Sequence, residues 1–245
     1  MAAAAGRYVP QPRRGMAALD SDGLLSHSSL IAPLTLSQKV AAILPGPRES
    51  FKIVTDANLK LVDLVLREAG VGCVWKVSSS KHGNGVMQLR DNDPTTYWQS
   101  DGHQPHAITA LLPALTKVLY VAVLLNFASD ESYTPRKLVV RCGTHVLMDV
   151  ATVDFDSPKG WVLIKLGGEE ASATPSPPPP PAASPPVVAA PPWLSCGLHT
   201  LMIQIQVAEN HQNGRDTHVR GVRLYTDVPA EEYQTAAFRT SCALR

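Results

Sequence analysis

The chain has 245 residues, 44% of them hydrophobic, with 22 basic and 21 acidic side chains and a formal net charge of +1. That length gives room for one large or two small domains with a sizeable core, and the balanced charge supplies no global field for nucleic acid or an anionic membrane. The 21 prolines are the compositional outlier, and they are not evenly spread.

Residues 1–50 show no sustained periodicity and read as an irregular leader. Arg7, Arg13 and Arg14 without acids loosely resemble a transit peptide, but Pro10 and Pro12 interrupt the amphipathic helix that such a segment needs. Between Asp56 and Gly70, Leu59, Val62 and Leu66 fall at helical spacing, with Asp56 placed to cap the start and Gly70 to close the end. The run Leu61–Leu66 also suits a strand.

From Val74 to Leu166 short apolar, β-branched runs alternate with turn clusters such as Lys81–Gly85, Asp91–Pro94, Ser129–Ser132 and Asp156–Gly160. This pattern predicts a β-sandwich or barrel rather than βαβ units. Ala107–Leu125 holds one charge, Lys117, and is about the ~20 residues that a bilayer asks for. Pro113 and Lys117 in its middle suit a turn between two buried strands, Ile108–Leu112 and Val118–Phe127.

Between Pro175 and Pro192, 10 of 18 residues are proline. Such a stretch cannot donate to a ladder and resists helix, so residues 171–195 read as a solvated insertion. The β pattern resumes at Leu198–Val207 and again at Val219–Tyr225, on either side of the polar loop Asn210–His218. Residues 229–245 read as a tail. The whole is one domain, 51–228, interrupted by the proline arm.

Cys73, Cys142, Cys196 and Cys242 form no C-x-x-C pair, which removes a zinc ribbon. With no secretory leader evident they are expected to be reduced thiols. No G-x-S-x-G, H-E-x-x-H, P-loop or G-x-G-x-x-G occurs. The histidine pairs His103/His106 and His211/His218 lack a further ligand by spacing, so no metal or cofactor is expected. What stands out is the polar loops of the sandwich, Thr96–Gly102, Ser129–Pro135 and Asn210–His218. Solvated loops are polar everywhere, yet the last holds more donor and acceptor side chains than turn geometry needs. A binding rim for a polar ligand or extended peptide fits it equally well.

The segments Val74–Ser79, Gln88–Asp91, Thr96–Gly102 followed by Gln104–His106, Ser129–Pro135, Met202–Ile205 and Asn210–His218 together resemble the DOC-domain family, the DOC-domain subunits of the anaphase-promoting complex. The resemblance runs in order from about Leu66 to Thr226. It implies an all-β, galactose-binding-like jelly roll and no enzymatic activity of its own. It also implies a role as co-receptor: with a WD40 co-activator, the family holds the destruction box of substrates and raises the processivity of ubiquitination, in nucleus and cytoplasm.

Carried onto this sequence, the degron-binding residues are Gln99, Ser100, Asp101, Asp130, Tyr133, Asn210, His211, Gln212, Asn213, Gly214, Arg215, Asp216 and His218. The family's tail ends in Ile-Arg, which docks in a tetratricopeptide-repeat scaffold subunit. Here it ends Leu244-Arg245, and the proline arm has no counterpart in the family. The competing reading is a carbohydrate- or small-ligand-binding jelly roll with Tyr97, Trp98 or Tyr133 as aromatic platform, since fold does not fix function.

Overall fold

The computed structural model describes residues 34–167 and 196–227. Residues 1–33 of the expected leader, the proline-rich insertion, and the tail with Leu244 and Arg245 lie outside the described residues.

The described residues form two antiparallel sheets packed face to face. In one, the strand order is β1 (Phe51–Val54), β9 (Lys159–Lys165), β6 (Tyr120–Asn126), β12 (Gly221–Thr226) and β2 (Arg67–Glu68). In the other it is β3 (Val74–Val77), β5 (His106–Val118), β10 (Leu198–Asn210), β7 (Pro135–Gly143) and β8 (Met148–Asp154). A short ribbon pairs β4 (Trp98–Gln99) with β11 (His218–Val219). The two packed sheets are the β-sandwich that the alternating runs predict, in the galactose-binding-like jelly-roll form that the resemblance implies.

Strand composition follows what covers each face. β5 alternates buried and half-buried residues from His106 to Leu112, because only its inner face meets the other sheet. There Ile108, Ala110, Val140, Ile203 and Ile205 pack against Val121, Val123, Ile164 and Leu224. β6 reads Tyr-Val-Ala-Val-Leu-Leu without alternation, since its outer face is covered too. Tyr120, Ala122 and Leu163 share a second apolar cluster with residues of two helices, α1 (Leu36–Ile43) and α2 (Asp56–Val62).

Three expectations are corrected here. The segment 34–50 is not irregular: α1 opens on a capping box between Thr35 and Gln38, and buries Val40, Ile43 and Leu44. The helix expected over Asp56–Gly70 ends at Val62 and is capped by the Thr55 hydroxyl rather than by Asp56. The chain then turns, because Arg67 and Glu68 pair as β2 with Thr226 and Tyr225. The turn expected at Pro113–Lys117 is not a turn. β5 runs on to Val118, with Pro113, Ala114 and Leu115 exposed in a bulge opposite Thr200–Met202, where proline's missing donor costs the ladder nothing. The corner falls at Leu119.

Within the β region the Lys81–Gly85 turn leads into a short helix, α3 (Val86–Arg90), not into a strand. Ser129–Ser132 is likewise not a simple turn: α4 (Phe127–Asp130) and a 3₁₀ turn over Glu131–Tyr133 occupy it. Among the described residues Cys73, Cys142 and Cys196 form no disulfide. Burial pushes Cys142 up to about 12 and, with the nearby Glu68 charge, Cys73 up to about 11, which makes both poor nucleophiles. No described helix is long and apolar enough to cross a membrane.

Candidate functional site

At one end of the sandwich the start of β5, the α4 connection, the start of β7 and the end of β10 meet: Val207 pairs with His106 and Leu138, and Asn210 with Pro135. The loop after β10 is braced from within. Asn210 Nδ2 donates to the carbonyls of Gly214 at 3.1 Å and Asp216 at 2.8 Å. Gln104 Nε2 donates to the carbonyls of Gly214 at 3.0 Å and Arg215 at 3.2 Å, and His106 Nε2 lies 2.7 Å from the latter. The His211 backbone N–H donates to Thr134 O at 2.9 Å, with His211 Nδ1 at 3.0 Å from the same oxygen. Ser100 and Thr217 exchange bonds: Ser100 N–H to Thr217 O at 3.1 Å, and Thr217 N–H to Ser100 Oγ at 2.9 Å.

Drawing these carbonyls inward turns the intervening side chains out. Gln212 and Asn213 take the left-handed conformation at φ 52° and 56°. Gly214 follows, at a position where a Cβ would lie 1.7 Å from Ser132 O, so only glycine lets the two loops touch.

Beneath the loop lies a buried charge cluster. Asp130 accepts from both arms of the Arg220 fork, Nε to Oδ2 at 2.7 Å and Nη2 to Oδ1 at 2.6 Å, and His218 Nδ1 stands 3.2 Å from Oδ1. Arg220 Nη1 also donates to Pro94 O at 2.8 Å. The His218 ring is sandwiched between Tyr97 and Tyr133, with centroids 4.1 and 4.3 Å away and planes within 22° and 12°. Burial pushes the Asp130 carboxyl up, but the hydrogen bonds from His218 and Arg220 and the positive charge of Arg220 outweigh it and hold it below its ordinary value. The bond to Asp130 raises Arg220 in turn.

All the expected rim residues come together at this end, but in two roles. Asp101, Tyr133, Gln212, Asn213 and Arg215 are exposed, and Gly214 and Asp216 half-buried. Gln99, Ser100, Asp130, Asn210, His211 and His218 are buried. This corrects the reading of the whole 210–218 loop as ligand-facing: its surplus of polar side chains is partly a set of internal struts. Sequence reasoning missed Arg220 as a site residue. The signal was there, an arginine among strand-forming apolar neighbours, since a buried guanidinium needs a carboxylate. Among the described residues no group of three or more His, Cys, Asp or Glu is arranged to hold a metal ion.

The family profile described as "Anaphase-promoting complex, subunit 10 (APC10)" matches residues 48–243. The chain belongs to the anaphase-promoting complex subunit 10 family. It is 38% identical over 175 residues to anaphase-promoting complex subunit 10 of Homo sapiens, covering 71% of this chain and 80% of that one. It is 34% identical to the Drosophila melanogaster subunit over 71% of this chain and 77% of that one. To anaphase-promoting complex subunit DOC1 of Saccharomyces cerevisiae it is 31% identical, over 65% of this chain and 55% of that one. Among solved structures, the CBM32-1 and CBM32-2 domains of Clostridium perfringens ZmpB align with a TM-score of 0.53 at 12% identity, covering 72% of this chain and 40% of that one. That likeness carries the jelly-roll fold alone. As an APC10 family member the chain is a subunit of the anaphase-promoting complex, with cell-division control as its setting.

Proposed function

We propose that this subunit is non-catalytic and acts with a WD40 co-activator as a co-receptor for destruction-box degrons, promoting processive ubiquitination of substrates in nucleus and cytoplasm. The observation that carries the reading is the braced loop: Gln212, Asn213 and Arg215 project from a backbone fixed by Asn210, Gln104 and His106. Asp101 and Tyr133 are exposed on neighbouring connections of the same end. A short polar segment shared with a second receptor is best held by side chains whose rotamers and backbone are pre-organised, because ordering is then not charged against binding. Leu244 and Arg245 are proposed to dock in a tetratricopeptide-repeat scaffold subunit, as the family's Ile-Arg tail does.

The division of roles dictates the test. Asn210 and His211 must stay, because their removal would collapse the loop whatever it binds. Replacing Asp101, Gln212, Asn213 and Arg215 with alanine removes exposed side chains only: Asp101 and Arg215 are each within about 0.5 kcal/mol for stability, and alanine at the left-handed Gln212 and Asn213 costs at most about 1–2 kcal/mol each. The variant should enter the complex normally and give shorter ubiquitin chains on destruction-box substrates. Full processivity, with incorporation verified, would refute the assignment. A glycan-binding role predicts instead that the same variant loses sugar affinity while ubiquitination is unchanged.

A further inference from the structure

The sandwich has an open flank where both sheets end in short edge strands, β2 in one and β3 in the other. A groove of about 1170 Å³ lies there, lined by Leu64–Glu68 and Val71, by Cys73 and Trp75, and by α3 with Asp91 and Asn92. Its large apolar side chains face solvent: Val71 is 82% exposed, Met87 77% and Leu64 68%, and Val74 beside them 59%. Clustered exposure of this kind marks an interaction surface rather than scattered surface apolars.

Two features say what fits it. The first is charge: Arg90 pairs with Glu68 at 3.1 Å, Arg223 with Asp63 at 2.9 Å and Lys117 with Asp227 at 3.3 Å. Asp91 is occupied by the Asp93 N–H and the Thr96 hydroxyl. The acids of the groove are thus already paired or hydrogen-bonded, and Arg67, which also lines it, is likewise engaged, so the complementary occupant is uncharged and aliphatic.

The second is the β3 edge. Among the described strands β3 pairs only with β5. Ser78 N–H donates to Ala107 O at 2.8 Å, so by the alternation of an antiparallel ladder Val74 and Lys76 bond inward to β5, while Trp75 and Val77 direct N–H and C=O outward. An edge of that kind accepts an added strand.

We propose that this groove docks an extended, uncharged aliphatic segment of a neighbouring subunit of the anaphase-promoting complex, which adds as a strand to β3. The proposal rests on family membership and on this flank, not on the co-receptor reading. Backbone pairing gives the segment its direction and register, and Val71, Met87 and Leu64 supply the apolar contact.

Amide exchange tests it, on the full chain alone and on the complex reconstituted from purified subunits. Assembly should slow the Trp75 and Val77 amides at least about tenfold and leave those of Val74 and Lys76, already bonded to β5, little changed. A second arm uses the double variant Val71→Asp, Met87→Asp, whose exposed positions leave the isolated fold and its Tm intact. In competition with wild type at subsaturating concentration it should lose about tenfold in incorporation. Unchanged exchange at Trp75 and Val77, or incorporation of the folded variant equal to wild type, overturns the proposal. Processivity of the rim variant is read separately, so failure of one idea is distinguishable from failure of the other.

Discussion

Replacing the Asp130 carboxylate by an amide isolates what the buried charge contributes. Asp130 and Arg220 have side chains 4% and 10% exposed, so Asp130→Asn leaves a guanidinium buried without its counter-charge. Breaking one side of such a pair costs about 3–5 kcal/mol. The sign of the pH dependence follows from the direction of the shift. Because Asp130 is held below its ordinary value, the stability it contributes is complete above about pH 3.9 and lost as pH falls through the lower folded value. Denaturant unfolding of wild type and variant across pH should therefore show a constant gap at neutral and mildly acid pH that closes only in the acid range. A gap that closes between about pH 7 and 5 would assign the charge balance to another group. At this scale the rim was half legible. Polar residue types marked the loop, but whether an asparagine points in or out depends on which carbonyls it reaches, and Asn210 and Asn213, in one sequence context, have opposite fates.

At the scale of the element, tertiary cover decided what the sequence pattern left open. α1 is short and its stretch is poor in periodicity, yet it lies over β6, whose outer residues Tyr120 and Ala122 would otherwise meet water. Leu44, 1% exposed just past the helix, is the sharpest probe: Leu44→Ala should cost about 2–5 kcal/mol in denaturant unfolding. A cost within about 0.5 kcal/mol would return residues 34–50 to an irregular leader. The strands that alternate, β5 and β10, were legible because one face stays open. α2 was over-read: Leu66 keeps helical spacing, but Glu68 draws the chain into the sheet, its carboxylate accepting from Leu224 N–H at 3.2 Å and from Gly70 N–H at 3.0 Å. Pro113 was over-read as well. A proline in an apolar run signals a break in pairing, and a bulge satisfies that as well as a turn does.

For the molecule as a whole, the order of strands was beyond the reach of local pattern. β10 pairs with β5 and β7, partners distant in sequence, and the rim exists only because those pairings gather loops from three regions of the chain. The resemblance supplied that arrangement, since periodicity has no access to it. The same topology explains how a proline-rich insertion is tolerated. The stems on either side of residues 168–195 already meet, with Gly197 N–H donating to Leu166 O at 2.7 Å, and Leu166 N–H to Leu119 O at 2.9 Å. The ends are held by the jelly roll rather than by the segment between them. Replacing 168–195 with a Gly-Ser linker about four times shorter halves the loop twice, which lowers the closure cost by about 1.2 kcal/mol. The shortened chain should therefore melt at the same temperature or a few degrees higher in a calorimetric scan, with incorporation into the complex retained. A fall of several degrees would mean that the insertion packs on the domain and that its apolar residues contribute to the core.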